Sequence, residues 1–312
     1  MQLKKRLKET IDLLAIMWFK RKGQFIGDST QFGILIAQKE QKNKALFENY
    51  YFDIRKYLTS ATLEGIPTEQ ENLLSRIIAH YHVLEKGLSM PEPRLGFGRD
   101  LAKSMISHIN KYIESKYETS NQQFQVSLDV LNKYSLFNQN EDNFRNICNE
   151  INHLYSTYKS SKIEGGVKTI TREELFAYVN ADFKKFALSR ISSRCFTSKP
   201  VSKLIINEVI SIAAKSPSVC NRQAWSTITV LSPKVIQAIL EIQNGNRGFG
   251  HLIPCLIVVK IDQRAFYGPE ERNQGFIDAG IFGMSLVYAL HYKQLGSVVL
   301  NWATNFEQNK KI

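Results

Sequence analysis

Up to about residue 180 the apolar positions keep the three- and four-residue spacing of buried helical faces. The clearest series is Leu73, Leu74, Ile77, Ile78, Tyr81 and Leu84, which predicts one amphipathic helix. Two starts are marked by capping boxes, Thr68-Glu69-Gln70-Glu71 and Thr171-Arg172-Glu173-Glu174, in which a threonine oxygen accepts from an early N–H and a glutamate answers it. The first of these helices must stop near Gly87. The following run, Lys86 to Gly98, is dense in glycine and proline and reads either as a connector between packed helices or as a cover that presents Arg94 and Phe97 to a substrate. Residues 160 to 168 read as a linker, so a helical region over 1–165 and a second domain over 166–312 are expected.

From residue 171 the pattern changes to alternating helix and strand. A helix is expected from the Thr171 cap to about Leu188, and another from a Ser202 cap through Ala213. A strand follows at Thr227–Leu231, then a helix opened by Ser232-Pro233. Cys255–Ile261 reads as a buried strand, Ile277–Tyr292 as a helix and Val298–Leu300 as a third strand. That succession would suggest a doubly wound sheet. No Gly-x-Gly-x-x-Gly follows a first strand, however, which argues against a Rossmann dinucleotide site.

Composition narrows the classes. The chain has 312 residues, 43% hydrophobic and 22% charged, ordinary values for a globular protein. The longest apolar runs are strand-length, far below the ~20 residues of a membrane-spanning helix, so no integral membrane association is expected. Leu13 to Phe19 follow a basic start but lead into Lys20-Arg21-Lys22, which suits a packed amphipathic helix better than a cleaved leader. Cys148, Cys195, Cys220 and Cys255 lack metal-like spacing and read as free thiols of a cytoplasmic protein, with no metal site. The net charge is +12, with 16 Lys+Arg against 8 Asp+Glu from residue 181 onward. No nucleic-acid motif accompanies it, so an anionic small molecule is the expected beneficiary of that field.

Two runs carry specific chemistry. Arg190-Ile191-Ser192-Ser193-Arg194-Cys195-Phe196 sets two guanidinium groups and a hydroxyl at alternate positions; in extended backbone they share one side and can receive a phosphate dianion. Pro217-Ser218-Val219-Cys220-Asn221-Arg222-Gln223-Ala224-Trp225 packs small polar residues behind a proline, which keeps the chain out of helix and offers amides to a polar ring edge. Taken singly, the first also reads as a solvated surface and the second as a turn.

In this order, and with a third segment running from Gly275 through Met284 to Leu295-Gly296-Ser297-Val298-Val299-Leu300-Asn301-Trp302, the two runs resemble the nitroreductase family of FMN-dependent oxidoreductases. Ala224 departs from the family pattern, which has proline there. The resemblance covers roughly residues 186 to 305 and implies an α+β fold, a mainly antiparallel sheet flanked by helices, assembled as a homodimer with two FMN sites at the interface. It implies that Arg190, Ser192 and Arg194 hold the FMN phosphate. Pro217, Ser218, Val219, Asn221 and Gln223 would line the ring and ribityl chain, in part from the partner subunit. Asn246 and Gly248 would lie on the pyrimidine side, and backbone near Leu300 and Asn301 would face flavin N5. The activity implied is hydride transfer from NAD(P)H through the flavin to an electron-poor small-molecule acceptor such as a nitroaromatic or quinone, with no protein residue named as catalytic.

Family members continue past the Asn-Trp segment with further elements and basic residues, whereas this sequence ends at Ile312. The expectation is either a shortened domain or one for which the N-terminal half compensates. Larger members with helical N-terminal extensions, some linked to polysaccharide gene clusters, resemble this layout. The alternative reading is an accessory protein, with or without flavin, in which the second domain serves as an interaction module.

Overall fold

The computed structural model describes residues 46, 48–58, 69–304 and 308. The Leu13–Phe19 run and the Thr68 cap lie outside them. Two compact units are distinguished, one made of residues up to 59 with Tyr267–Arg272, the other of 60–266 and 273–312. In the first, residues 48–58 are helical, and Arg272 clamps Asp53 with two hydrogen bonds, Nε to Oδ2 at 2.7 Å and Nη2 to Oδ1 at 2.9 Å.

The second unit begins with four helices, α1 (Gln70–Leu88), α2 (Arg99–Glu114), α3 (Gln122–Asn138) and α4 (Arg145–Tyr158). The α1 series behaves as its spacing predicts. Leu73, Ile77 and Leu84 are fully buried, with Leu74 and Tyr81 packed beside them. They meet Met105, Ile109 and Tyr112 of α2 and Phe124, Leu128, Leu131 and Tyr134 of α3 in one core. The segment predicted as a linker is stapled to α3 instead. Gln125 takes hydrogen bonds from the backbone N–H of Ser160 and Ser161 and donates to the Tyr158 carbonyl. Asp129 pairs with Lys159 at 2.7 Å and accepts from Gly165 N–H. Buried polar side chains on α3 thus fix a stretch whose composition alone suggests freedom.

The helix expected from Thr171 to Leu188 is two helices. Thr171 caps α5 (Arg172–Phe176) through the anticipated reciprocal bonds with Glu174. A second start then forms at Asp182, whose carboxylate accepts from Lys185 N–H and opens α6 (Phe183–Ser189). An Asx cap inside a helical pattern competes with continuation, and here it wins.

Next come α7 (Lys203–Ala213), β1 (Trp225–Val230), α8 (Pro233–Ile242), β2 (Leu256–Ile261) and α9 (Gln274–Tyr292). β1 and β2 pair antiparallel, with Trp225 opposite Ile261 and Val230 opposite Leu256. The architecture is α+β. The third strand expected at Val298–Leu300 is reduced to an isolated parallel bridge between Ser192 and Ser297. One face of the β pair rests on α9, where Trp225 stacks on Phe282 at 5.2 Å between ring centroids. Val209 and Ala213 of α7 close that core together with Leu286 and Ala289. A separate cluster of Val230, Ile236 and Leu240 takes in Leu256 and Leu300.

His80 of α1 and His108 of α2 face each other with ring centroids 5.1 Å apart, and the Nδ1 atom of each is buried without a well-formed hydrogen bond, as is Nε of the adjacent Arg76. Burial holds both imidazoles below the ordinary histidine range, reinforced for His80 by His108 and Arg76; the Ser104 carbonyl offsets only part of the effect at His108. The unfolded chain therefore binds protons that the folded one refuses. The contribution to stability is fully present above the ordinary histidine pKa of 6.5 and falls as pH drops below it. Urea midpoints measured between pH 7.5 and pH 5 should decline, and a His80→Gln/His108→Gln variant should decline less steeply. An equal slope in the variant would remove the pair as its cause.

Candidate functional site

The Arg190–Phe196 run leaves α6 in extended backbone, Arg190 itself lying at φ −70° and ψ 123°. Its middle is pinned: Ser193 N–H donates to the Ser297 carbonyl at 2.9 Å beside the Ser192–Ser297 bridge. Gly296 permits that approach, because a Cβ there would come within 2.8 Å of Ser193 Oγ. The extended conformation required for Arg190, Ser192 and Arg194 to share one side is thus present. Both arginines are partly buried, and among the described residues neither guanidinium enters a hydrogen bond or salt bridge.

Beside Arg190 lies a residue the sequence reading passed over. His291, buried near the end of α9, meets Ser189 Oγ at 2.9 Å and sits between the rings of Phe176 and Phe186. Burial, then the Arg190 charge, keeps this imidazole below its ordinary range. A neutral His291 adds no positive charge to the arginine run. Only a hydrophobic helix with one histidine near its end was visible in the sequence, which is a thin signal.

The second run forms a contorted turn. Cys220, Asn221 and Gln223 have φ of 48°, 52° and 51°, three non-glycine residues in the left-handed region within four positions. Such backbone costs on the order of 1 kcal/mol or more per residue and persists only where its surroundings enforce it. Here Gln223 N–H donates to Ser218 Oγ at 2.9 Å, and Gln223 Nε2 to Asn221 Oδ1 at 2.9 Å. Asp278, buried on α9, receives Val219 N–H at 3.4 Å and Gln274 Nε2 at 2.8 Å. Arg222 donates to the Ala265 carbonyl at 2.7 Å. The turn exposes Asn221 and Gln223, and Pro217 lines a groove of about 540 Å³ with Phe183, Phe186, Ile212, Tyr288 and Tyr292.

Asp278 is another residue that sequence reasoning missed, although it stands inside the quoted third segment. Replacing it with alanine should leave Val219 N–H without its acceptor. We expect about 1–2 kcal/mol of lost stability by urea denaturation, together with faster proteolysis confined to 217–224. A midpoint and cleavage pattern matching wild type would show that the turn holds itself.

The remaining expected positions divide. Gln243 Nε2 donates to the Asn301 carbonyl at 2.8 Å, so the segment from Ser297 to Asn301 is tied at one end to the arginine run and at the other to the loop after α8. Leu300 packs into the Val230 cluster. Gly248 has φ +91° and is approached by Met90, whose sulfur would lie 2.8 Å from an added Cβ. Asn246 serves its own loop, its Nδ2 donating to the carbonyls of Leu240 and Gln243 at 2.7 Å each. The structure therefore brings Arg190–Arg194, Leu300–Asn301 and the loop carrying Asn246 and Gly248 into one connected region. Among the described residues no hydrogen bond joins the 217–223 turn to that region.

Phe97 belongs elsewhere. Left-handed Gly96 and Gly98 turn its ring inward against Tyr134 (5.3 Å) and Phe137 (6.1 Å), under Gly87, where any Cβ would collide with it. Its carbonyl accepts from the Tyr134 hydroxyl, and Gly96 N–H donates to the buried Asn138 side chain. The ring thus packs, partly buried, against the helical core, and Arg94 is exposed at the loop surface. Among the described residues no helix is long and apolar enough to cross a membrane.

Residues 187–245 match the family model described as Nitroreductase family. That stretch contains both runs. The match thus lies C-terminal to the helical region and falls on the residues that carry the resemblance. No curated protein matches it significantly. Among solved structures it is similar to NfrA2 of B. megaterium (22% identity, 37% of this chain and 52% of that one, TM-score 0.34). It is also similar to a nitroreductase family protein of Clostridium difficile 630 (22%, 42% and 73%, 0.36) and to an FMN-dependent nitroreductase of Clostridium difficile R20291 (21%, 39% and 67%, 0.34). The chain spans 52% to 65% of the length of the first structures it matches.

Proposed function

We propose that this protein is an FMN-dependent oxidoreductase that takes electrons from NAD(P)H and passes them to an electron-poor small molecule. The observation that carries the reading is the family match over 187–245 coinciding with a pinned, extended arginine run. The donor set fits the cofactor. Arg190, Ser192 and Arg194 suit a phosphate dianion, and the exposed amides of Asn221 and Gln223 suit a polar ring edge. When bound, the flavin would supply reversible acceptance of a hydride, and the chain's own part is binding, orientation and electrostatics. Arg190 and Arg194 would anchor the phosphate, while the enforced 218–223 turn holds Ser218 and Asn221 at fixed positions. The segment from Ser297 to Asn301, fastened at both ends, would offer backbone beside the ring.

We further propose that the working form is a homodimer. α9 carries apolar residues on two sides. It buries Phe282, Leu286 and Ala289 inward yet exposes Phe276, Ile277, Ile281 and Met284, and open space lies over Gly280 and Gly283. An exposed second apolar face of this kind calls for cover. Absorption spectra of the purified protein test the function. Two flavin bands that bleach on addition of NADH or NADPH are expected, and a colourless protein that takes up no added FMN would overturn the reading in favour of an interaction module.

A further inference from the structure

The last turn of α1 is docked on the loop after α8. Lys86 Nζ donates to the Gly245 carbonyl and lies 5.2 Å from the centre of the buried Phe249 ring. Four residues on, Met90 seats against left-handed Gly248. The same loop contains the one Asn-Gly pair of the sequence, Asn244-Gly245. An asparagine before glycine is chemically labile, because the next backbone nitrogen can attack the side-chain amide carbon and no β-carbon stands in the way.

Several features of the fold leave this pair open to that attack. Asn244 and Gly245 are both exposed, and among the described residues Gly245 N–H donates to no acceptor. Gly245 lies at φ 106°. Beyond its chain neighbours, the nearest described atom to an added Cβ there would be Gln243 Nε2, at 3.5 Å. Gln243 Nε2 also donates to the Asn244 carbonyl. A donor on that oxygen draws electron density from the peptide unit shared with the Gly245 nitrogen and eases loss of its proton. The Asn244 amide is held by a long bond, Nδ2 to the Ala303 carbonyl at 3.3 Å. Asn246 is the contrast: its Nδ2 donates to two carbonyls at 2.7 Å, it is partly buried, and Arg247 follows it.

We propose that Asn244 is a self-modifying site whose slow conversion to isoaspartate releases the loop from α1. The Gly245 nitrogen bonds to Asn244 Cγ, the Cγ–Nδ2 bond breaks, and the amide leaves as ammonia with the proton given up by Gly245. Water then opens the succinimide ring. Opening at Cγ gives aspartate. Opening at the main-chain carbonyl gives isoaspartate, in which the chain runs through the side-chain carbons and is one methylene longer. No oxidant or cofactor takes part. Either product puts a carboxylate in place of the amide that donates to Ala303, and the longer isoaspartate chain displaces the Gly245 carbonyl from Lys86. The inference stands apart from the flavin reading.

The test incubates the purified chain folded and, in parallel, unfolded in guanidinium, until half of the unfolded sample has converted. Tryptic peptide Val235–Arg247 holds both Asn244 and Asn246. Electron-transfer fragmentation in a mass spectrometer locates the converted residue and separates isoaspartate from aspartate. In the folded chain Asn244 should convert at about a tenth of the unfolded rate or faster, the loop adding little to the barrier. Isoaspartate should be in excess, conversion should quicken from neutral to mildly alkaline pH, and Asn246 should stay unchanged. Slower conversion, or conversion at Asn246 to the same extent, would overturn the site. Amide hydrogen exchange tests the release, with an equally aged Asn244→Gln variant as the reference that cannot readily cyclise. Residues Lys86 to Met90 should lose protection in the converted wild type alone. Equal protection in both would overturn the release.

Discussion

Replacing Arg190 and Arg194 together with alanine is expected to weaken FMN binding by about a hundred- to ten-thousand-fold while the helices stay folded. Each charge-assisted contact to a phosphate is worth roughly 1.5–3 kcal/mol, and two lost contacts multiply in the binding constant. The fold should tolerate the change because neither guanidinium makes a hydrogen bond or salt bridge among the described residues, and the run is held through Ser193 backbone instead. Equilibrium dialysis gives the affinity and circular dichroism the folding control. A secondary sign should accompany it in the variant: without the Arg190 charge, the His291 imidazole moves up toward its ordinary range, since that charge is one of the two influences holding it down. An FMN affinity within about three-fold of wild type would return both arginines to a solvated surface.

The helical core was legible because its signal is local. A single face of Leu73, Ile77 and Leu84 reads directly from spacing, and the Thr171 cap forms the reciprocal bonds its four residues predict. The break at Asp182 was missed because a capping aspartate and a solvent-facing helical one look alike until the chain's continuation is known. The Val298–Leu300 strand was overpredicted for the opposite reason, since apolar β-branched composition describes a buried extended segment whether or not a neighbour pairs with it. At the site, the residues with distinctive side chains were readable and their supports were not. Arg190 and Arg194 announce themselves by alternation. Asp278, His291 and Lys86 act through contacts that span 59, 102 and 159 positions along the chain, and no local pattern encodes partners so distant. Phe97 carries two readings at once: an aromatic beside glycines and an arginine suggests a ligand contact, and only the fold shows its ring packed on Tyr134 and Phe137.

The outer face of α9 carries the second large effect. Ile277, Ile281 and Met284 stand at helical spacing on one side, with Gly280 and Gly283 leaving room for another backbone to approach. If a second copy of the chain covers this face, Ile281→Asp with Met284→Asp should bury two unpaired carboxylates at the interface, each costing on the order of 2 kcal/mol or more. The dimer dissociation constant should then rise at least about a hundred-fold. Light scattering across a dilution series would show monomer where wild type is dimer, while urea stability of the monomer stays near that of undiluted wild type corrected for association. Flavin content should fall with dissociation, because the 217–223 turn has no hydrogen bond to the arginine run among the described residues and is proposed to serve the partner's cofactor. A mixing experiment isolates that point. Arg190→Ala/Arg194→Ala chains and Asn221→Ala chains, each poor in flavin, should recover one intact site when co-assembled as verified heterodimers, since one site then carries all three lesions and the other none. Recovery to about half of wild-type flavin content is expected; heterodimers as poor in flavin as their parents would mean that each site is built within a single chain.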